Sequence, residues 1–275
     1  MQKLFSFVTL FALVLFLAAC GNDSESASEE GEAKEITVAA SPAPHAEILE
    51  KAAEILAEED ITLNVEIVND YVTPNRLLAD EEVDANFFQH TPYLETESKD
   101  KGYKIESAGN VHIEPMAVYS KKYKKLTDLP KGATVYVSNN PAEEGRFLSF
   151  FEKEGLIKLK DGVDPVDATF DDIAENKKDI KFNNKQAAEF LPKSYQADEG
   201  DATIINSNYA IEQGLNPLKD SIAVEGKDSP YANLIAVQKG HKDDEKIKAL
   251  MKVLQSKEIK DFIKEKYDGA VIEAK

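Results

Sequence analysis

Residues 35–68 read EITVAASPAPHAEILEKAAEILAEEDITLNVEIV and contain one complete strand–helix–strand unit. The stretch opens with β-forming side chains and reaches a Ser-Pro turn. In its middle, Ile48, Ala52, Ile55 and Leu56 recur at helical spacing. It closes on LNVEIV, where apolar and polar residues largely alternate as they do in a half-buried strand. This order predicts a βαβ unit with parallel strands.

The rest of the chain continues this alternation of strands and helices. Further β-like runs are TVYVS (134–138), ATIIN (202–206) and NLIAVQ (233–238), and an amphipathic helix is predicted over residues 243–267. Two such series predict two α/β lobes. The last strand and the tail helix have no partners of their own, so we expect them to return to the first lobe. The predicted boundaries are 36–118 plus 228–275 for lobe I and 119–227 for lobe II.

Composition and charge exclude several classes of protein. The chain has 275 residues, with 33 Lys and Arg against 51 Asp and Glu, which gives a formal charge of −18. Such an acidic chain repels phosphates, so we expect no nucleic-acid partner. Cys20 is the only cysteine, which excludes a disulfide scaffold, a cysteine-based zinc cluster and a CxxC redox site.

The N-terminus is typical of an export signal. Residues 1–19 carry one charged side chain, Lys3, followed by an apolar run and a small-residue end. The sequence LAAC at 17–20 resembles a bacterial lipobox, in which the cysteine is lipidated; the alternative is an ordinary signal with an incidental cysteine. Residues 20–35 are rich in Ser, Glu and Gly, which predicts a flexible tether. We therefore expect a lipoprotein anchored through Cys20 on the extracytoplasmic face of the membrane.

The sequence lacks the usual enzyme motifs. GxSxG, GxGxxG, GxxxxGK and HExxH do not occur, and the four histidines lie far apart along the chain. A cysteine nucleophile is excluded if Cys20 is lipidated. We therefore expect neither a catalytic residue nor a cofactor. The rival hypothesis, a lipid-anchored enzyme for small amino-acid derivatives, needs a nucleophile and a base that are not visible in the sequence.

Five segments combine aromatic rings, amides and one arginine at predicted strand ends or loops. They are VNDYVTPN (68–75), DANFFQHTPY (84–93), SNNPAEEGR (138–146), IINSNYA (204–210) and SPYAN (229–233). In open α/β lobes, ligands bind beyond the carboxyl ends of the strands, so these segments would face the crevice between the lobes. Their chemistry suits a small zwitterion with an apolar tail.

The candidate binding residues divide by chemistry. Arg146 can hold a carboxylate through two parallel hydrogen bonds. Amide oxygens, or the carboxylate of Glu143, can accept hydrogen bonds from an ammonium group. Aromatic rings attract thioether sulfur, and the rings available for an apolar pocket are Tyr71, Phe87, Phe88 and Tyr93. Because Phe87 and Phe88 are adjacent and point to different sides, we expect one of them to be structural.

Stretches that span almost the whole chain after the tether match one known family. They are AASPAPHAEIL, DYVTPN, VDANFFQHTPYL, HIEPMAVYSKKYKKLTDLPKGA, NNPAEEGR, GLIKL, DATFDDI, INSNYA, LNPLKD and DSPYANLIAV. The chain closely resembles the methionine-binding lipoproteins (MetQ/NlpA type) of bacterial ABC importers. The resemblance implies an α/β, two-lobed, periplasmic-binding-protein-like (type II) fold that closes over L-methionine in the cleft between its lobes.

The resemblance also implies roles for individual residues. By it, Arg146 would hold the ligand carboxylate, while Asn206 and Asn233 would hydrogen-bond the polar amino-acid end. The residues that would line the side-chain pocket are Tyr71, Phe88, His90 and Tyr93.

One turn departs from the pattern of that family. Many members carry Asn-Asp-Pro-Thr-Asn before the arginine, whereas residues 139–143 read Asn-Asn-Pro-Ala-Glu. Glu143 therefore replaces the last Asn; its carboxylate would serve an ammonium group and would repel a misplaced carboxylate. The ligand stays open among L-methionine, its D-form, its sulfoxide and a methionyl dipeptide.

The resemblance implies partners as well as a ligand. An ABC permease and its ATPase would receive the ligand, and we expect the lipid-anchored protein to be a monomer. One alternative is a surface adhesin or signalling lipoprotein with the same fold. Another is a metal-ion receptor in which His90 and His112 converge with Glu or Asp. Metals favour histidine and carboxylate clusters, whereas the five segments offer mostly amides and aromatics.

Overall fold

The computed structural model describes residues 34–226 and 229–274, in which strands and helices alternate. The strands are β1 (Lys34–Ala40), β2 (Ile61–Ile67), β3 (Ala85–His90), β4 (Ile105–Ile113), β5 (Ala117–Tyr119), β6 (Thr134–Ser138), β7 (Ile157–Leu159), β8 (Ile173–Asn176), β9 (Lys181–Gln186), β10 (Ala202–Ile205), β11 (Ala223–Val224), β12 (Ala232–Gln238) and β13 (Ile272–Glu273). The α-helices are α1 (Glu47–Ala57), α2 (Thr73–Ala79), α3 (Thr91–Lys101), α4 (Glu144–Lys153), α5 (Leu191–Gln196), α6 (Ser207–Glu212), α7 (Glu245–Leu254) and α8 (Lys257–Tyr267). Within the described ranges, none of these helices has the length and apolar character that a bilayer-spanning segment needs.

β1, α1 and β2 form the βαβ unit that the opening stretch predicts. β1 pairs with β2 in parallel along its whole length. On α1, Ile48, Ala52 and Leu56 are fully buried and share one apolar core with Ile36 and Val38 of β1. Burying a large aliphatic side chain contributes about 1.5–3 kcal/mol. The helical spacing of the apolar residues therefore fixes α1 against the sheet.

The first sheet has the strand order β13-β4-β12-β3-β1-β2. β1 is parallel to β2 and β3, whereas β12 is antiparallel to β3 and β4. Neighbouring residues of β1 point to opposite faces: Val38 joins a core shared with α1, α7 and α8, and Ala39 joins a core shared with α2 and α3. The sheet is thus covered by helices on both faces.

The second sheet has the strand order β11-β5-β10-β6-β9. β6 runs parallel to β9 and β10, and β5 runs antiparallel to β10. α4 packs on this sheet through Phe147, Leu148 and Phe151. Because β6 and β10 are parallel neighbours, the turn at 139–143 and Asn206 emerge at the same edge of the sheet.

The chain passes from the first sheet to the second between β4 and β5 and returns between β11 and β12. The predicted two-lobed α/β architecture is therefore confirmed. The residue boundaries given above for each lobe stay predictions. The expected signal, the lipidated Cys20 and the tether lie outside the described residues, except that Lys34 and Glu35 begin β1.

The C-terminal tail differs from its prediction as one amphipathic helix. α7 ends at Leu254 and α8 begins at Lys257. Between them, the Ser256 side chain accepts a hydrogen bond from the backbone N–H of Ile259 at 3.3 Å, which starts a new helix. The apolar stripe continues across this break, because Leu250 and Ile259 are both fully buried.

α6 belongs to the second lobe but also contacts the first. Ile211 packs against the main core of the first lobe, and Glu212 beside it is half buried. Burial raises the pKa of the Glu212 carboxyl from 4.5 to about 7, and the negative charge of Glu114 adds to this effect. Glu212 therefore stabilises the folded protein as the neutral acid, and this contribution is lost as the pH rises through the folded-state pKa.

Replacing Glu212 by glutamine is expected to remove this pH dependence, because glutamine stays neutral. The full pKa shift corresponds to about 3 kcal/mol, but solvent screens a half-exposed group, so we expect about 1 kcal/mol. In urea unfolding, the stability of Glu212→Gln relative to wild type should rise by that amount from about pH 5 to about pH 8. An unchanged difference at the two pH values would contradict the assignment.

Candidate functional site

A cavity of about 30 Å³ lies between the lobes. Its lining includes the eight residues predicted to bind the ligand, namely Tyr71, Phe88, His90, Tyr93, Glu143, Arg146, Asn206 and Asn233. It also includes residues that the sequence did not single out, namely Gln89, Glu114, Asn140, Ser207 and Asn208. Each of the five candidate segments thus contributes to one cavity.

Three aromatic rings form one wall of the cavity. The ring centroid of Tyr71 lies 5.9 Å from that of Phe88 and 6.2 Å from that of Tyr93, and Phe88 and Tyr93 meet edge to face at 5.8 Å. Phe87 is instead part of the main core of the first lobe. The adjacent phenylalanines therefore divide as expected, with Phe87 structural and Phe88 at the cavity.

A buried network of amides ties the two segments that carry this wall. Asn75 at the start of α2 donates to Gln89 Oε1 at 2.9 Å. Its own Oδ1 accepts from Asn86 Nδ2 at 2.9 Å and from Gln89 Nε2 at 2.7 Å. Since Asn86 and Gln89 lie on β3, these bonds hold the loop that bears Tyr71 against the strand that bears Phe88.

Tyr71 also connects the two lobes. Its hydroxyl donates to Asn208 Oδ1 on α6 at 2.7 Å, while its carbonyl oxygen accepts from the Tyr93 hydroxyl at 2.8 Å. In the opposite direction, the Tyr209 hydroxyl donates to the Asn69 carbonyl oxygen at 3.2 Å. Burial raises the pKa of Tyr71 well above its ordinary value, so the phenol stays a neutral donor. These hydrogen bonds close the cavity on its aromatic side.

Arg146 lies at the polar end and is almost fully buried, with 4 % of its surface exposed. Its Nε and one terminal nitrogen donate to the two oxygens of Glu225 at 3.2 and 2.6 Å, and the same terminal nitrogen donates to the Glu114 carbonyl oxygen at 2.9 Å. The guanidinium carbon lies 4.4 Å from the ring centroid of Tyr231. Burial disfavours the charge, but Glu225 and Glu143 outweigh it and raise the pKa of Arg146. The two parallel bonds expected of Arg146 are thus made to Glu225, and its other terminal nitrogen lies 3.6 Å from Glu143 Oε1.

Glu143 is buried at the end of the turn that precedes α4. The Asn140 side chain accepts from the Ala142 backbone N–H at 3.0 Å and shapes this turn. Glu143 Oε1 accepts from Asn206 Nδ2 at 2.6 Å, and Oε2 accepts from the Ser138 hydroxyl at 3.2 Å. Burial alone would raise the pKa of this carboxyl, but His90, Arg146 and Asn206 hold it below its ordinary value. Glu143 is therefore a carboxylate at neutral pH.

His90 faces Glu143 from the opposite lobe. Its Nδ1 accepts from the Tyr93 backbone N–H at 3.2 Å, which caps α3. The proton of the neutral ring therefore lies on Nε2, which is 3.6 Å from Glu143 Oε1. The ring also meets Tyr231 edge to face at 5.0 Å.

Two buried amide atoms of residues that line the cavity have no hydrogen-bond partner within residues 34–226 and 229–274. They are Asn206 Oδ1, an acceptor, and Asn208 Nδ2, a donor. Buried polar atoms are nearly always paired in native proteins. Because Asn206 and Asn208 both line the cavity, a ligand with both a donor and an acceptor suits this end of it.

Asn233 is held by a buried cluster of two histidines and a carboxylate. His45 Nε2 lies 3.0 Å from Asn233 Oδ1 and 3.1 Å from Glu114 Oε1, and His112 Nε2 lies 2.7 Å from the same Glu114 oxygen. Burial lowers the pKa of His45 to about 4 and that of His112 to about 3. Both rings are therefore neutral at pH 7 and donate to their oxygen partners.

This cluster also has the composition of a metal site. In the part of the chain that the structure describes, the ligand atoms of His45, His112 and Glu114 lie within 4.8 Å of one another. A histidine bound to metal usually donates its other ring N–H to a partner, yet both Nδ1 atoms are buried without a partner among the residues that the structure describes. If each ring instead carries its proton on Nε2 and donates it to an oxygen, each Nδ1 is an acceptor without a partner. An unpaired buried acceptor costs less free energy than the unpaired buried N–H group that a metal on Nε2 would leave at each Nδ1. The arrangement favours a hydrogen-bonded support, and His90 pairs with Glu143 rather than with this cluster.

Comparison with known proteins identifies the family. The sequence model of the NlpA lipoprotein family matches residues 36–275. The methionine-binding lipoprotein MetQ of Bacillus subtilis is 54% identical over 274 residues, which cover 99% of this chain and 98% of that protein. The D-methionine-binding lipoprotein MetQ of Escherichia coli is 38% identical over 274 residues, which cover 98% of each chain.

A solved structure extends this similarity to the fold. The nutrient-binding protein from Burkholderia cenocepacia bound to methionine has a TM-score of 0.82 and 43% identity, and the match covers 87% of this chain and 100% of that one. The family inferred from the sequence motifs is therefore confirmed: the chain belongs to the NlpA lipoprotein family.

Proposed function

We propose that this protein binds methionine, or a close derivative of it, between its two lobes. The observation that carries the proposal is the cavity that combines a ring-lined wall with an unpaired buried acceptor and an unpaired buried donor. Methionine carries a donor, its ammonium group, and an acceptor, its carboxylate, on the same α-carbon, which also bears an apolar side chain. The relatives named for methionine and the solved relative bound to methionine support the same ligand class.

At the polar end, the chain offers groups for both charges of an amino acid. The Asn206 amide donates to Glu143 through Nδ2, while its Oδ1 lacks a partner among the described residues. Asn206 Oδ1 and the Glu143 carboxylate are therefore the acceptors that we propose for an ammonium group. Asn208 Nδ2 is the unpaired donor for a carboxylate, and the outer terminal nitrogen of Arg146 supplies positive charge beside Glu143. Asn233 lines the same end from the first lobe.

At the apolar end, the three-ring wall suits an unbranched thioether. A sulfur atom gains about 0.3–1.5 kcal/mol from contact with an aromatic ring. The ring centroids of Tyr71, Phe88 and Tyr93 lie within 6.2 Å of one another. L-methionine is the ligand we propose first. The D-form and a methionyl dipeptide keep its side chain, the sulfoxide carries the oxidised form of it, and these three are the alternatives.

Binding across the two lobes suits capture followed by delivery. A ligand that contacts both lobes favours the closed form through its differential affinity for the two states. We propose that the closed protein passes its ligand to an ABC permease driven by an ATPase. A lipid on Cys20 would keep it at the extracytoplasmic face of the membrane and so raise its effective concentration there. Retention of Cys20→Ala in the membrane fraction would contradict the anchor.

Calorimetry with the full-length protein in detergent tests the ligand. After bound small molecules are removed by unfolding and refolding, we expect L-methionine to bind with a Kd of about 1 µM or below. Alanine and glutamate serve as controls, since one lacks the thioether and the other carries a charge into the aromatic wall. Absence of binding heat with methionine, together with no methionine-type compound released from the freshly purified protein in mass spectrometry, would contradict the proposal. A bound protein or carbohydrate in its place would instead favour the adhesin alternative.

A further inference from the structure

The polar end of the cavity holds more negative than positive charge. Among the described residues that line it, the carboxylic acids are Glu114 and Glu143, and the only lysine or arginine is Arg146. A third carboxylate, Glu225, binds Arg146 from outside the lining. A ligand therefore enters a site whose single guanidinium is already matched by carboxylates of the protein.

Arg146 has little hydrogen-bonding capacity left for a ligand carboxylate. Its Nε and one terminal nitrogen donate to Glu225, and that nitrogen also donates to the Glu114 carbonyl oxygen. The remaining terminal nitrogen lies 3.6 Å from Glu143 Oε1. A ligand carboxylate placed at this nitrogen would lie close to Glu143, and like charges side by side cost several kcal/mol at a desolvated interface.

Glu143, in contrast, has capacity left for a ligand cation. A carboxylate offers about four lone-pair sites. Glu143 uses one for Asn206 Nδ2 and one for the Ser138 hydroxyl, while His90 Nε2 and one terminal nitrogen of Arg146 stand 3.6 Å from its Oε1, beyond hydrogen-bond length. The side chain of Asn206 that binds Glu143 carries the unpaired acceptor Oδ1, and Asn206 is 92 % buried at 8 % exposure. A carboxylate and a buried unpaired amide oxygen side by side form a receptor for an ammonium group.

We propose, on the basis of the function proposed above, that Glu143 makes the cavity select ligands by a free α-ammonium group more than by a carboxylate. Compounds with a methionine side chain and a free ammonium but a neutral carboxyl, such as amides and esters, are then ligands. Compounds whose amine is blocked are rejected.

The test measures three ligands against three proteins by calorimetry at about pH 6, where α-amines are protonated. The ligands are L-methionine, L-methioninamide and N-acetyl-L-methionine. The proteins are wild type, Glu143→Gln, and Glu154→Gln as a control for the loss of one charge, since Glu154 is exposed just after α4. Thermal unfolding shows whether each variant is folded.

For wild type and for Glu154→Gln, we expect methioninamide to bind within about tenfold of methionine and N-acetylmethionine to bind at least about 100-fold more weakly. In Glu143→Gln, the ratio of the Kd for the amide to the Kd for methionine should rise at least about fivefold, because the ligand carboxylate is no longer repelled. The penalty for N-acetylation should shrink in the same variant.

The outcomes separate this inference from the proposed function. If wild type binds methionine but loses more than about tenfold in affinity on amidation, the inference is wrong and the proposed function stands. The same holds if Glu143→Gln changes neither ratio. If wild type binds none of the three compounds, the proposed function itself fails. Should Glu143→Gln not fold, Glu143→Asn takes its place, because it removes the same charge with a shorter amide, and the wild-type ratios are decisive by themselves.

Discussion

Arg146→Ala is expected to weaken methionine binding by at least about tenfold and to destabilise the folded protein by about 3–5 kcal/mol. The affinity falls because the guanidinium offsets the carboxylates around the polar end of the cavity. The stability falls because Glu225, which binds Arg146 at 2.6 and 3.2 Å, and Glu143, at 3.6 Å, would lose their buried cation. Domains of this kind are stable by about 5–15 kcal/mol, so a folded variant should still be obtained.

Urea unfolding and calorimetry of the folded variant measure these two effects separately. Arg76→Ala is the matched control, because Arg76 is the other arginine of the chain and half of its side chain is exposed. Its ion pairs with Asp80 and Glu82 span 3.3 and 3.4 Å at the surface, where such pairs contribute about 0–1 kcal/mol. Equal losses in the two variants, or unchanged methionine affinity in Arg146→Ala, would overturn the role of this guanidinium.

Arg146→Lys separates the charge from the geometry of the side chain. Lysine keeps the positive charge but cannot bind both oxygens of Glu225 with a planar fork. We therefore expect an intermediate loss of stability. A lysine variant as impaired as the alanine variant would indicate that the fork, rather than the charge, positions the polar end.

The fold could be predicted where the signal is local. The apolar spacing of α1 and the alternation of β2 each lie within one short segment, and both elements form as expected. β3 is different: all of its residues, Ala85–His90, are buried, so no alternation marks it as a strand. The helix break at Ser256 could not be predicted for a different reason. The apolar stripe continues across it, so the spacing of apolar residues does not show where one helix ends and the next begins.

The residue types of the candidate site could be predicted, but their partners could not. Arg146 and Glu225 are 79 residues apart, and only the packing of the lobes brings them together. The contact between Glu114 and His45 could likewise not be predicted, because the two residues belong to distant segments of the sequence. Asn208 had a usable signal, since it follows Asn206 by two residues at the start of α6. Pairing between distant segments is a property of the folded chain that spacing along the sequence does not encode.

Gly145→Ala is expected to disturb the same site without removing any functional group. A Cβ at this position would lie 2.1 Å from the Pro165 carbonyl oxygen and 2.9 Å from that of Val166. Both obstacles are backbone atoms, so they cannot turn aside as a flexible side chain does. Alanine favours a helix over glycine by about 1 kcal/mol, but overpacking of this kind costs about 1–3 kcal/mol or more. We therefore expect a net loss of about 2 kcal/mol in the free energy of unfolding.

The effect on binding follows from where Gly145 lies. It stands between Glu143 and Arg146 at the start of α4, so relief of the clash must shift α4 or the 165–166 loop. A displacement of about 1 Å is enough to cost about 100-fold where geometry decides function, and we expect methionine affinity to fall at least about tenfold. Gly226→Ala is the control, since a Cβ there meets no atom of the described part of the chain within 4 Å. Gly145→Ala could instead match that control in its free energy of unfolding and in its methionine affinity. The 165–166 loop would then move aside at no cost, and this close approach of backbone to helix would not hold the polar end of the cavity in place.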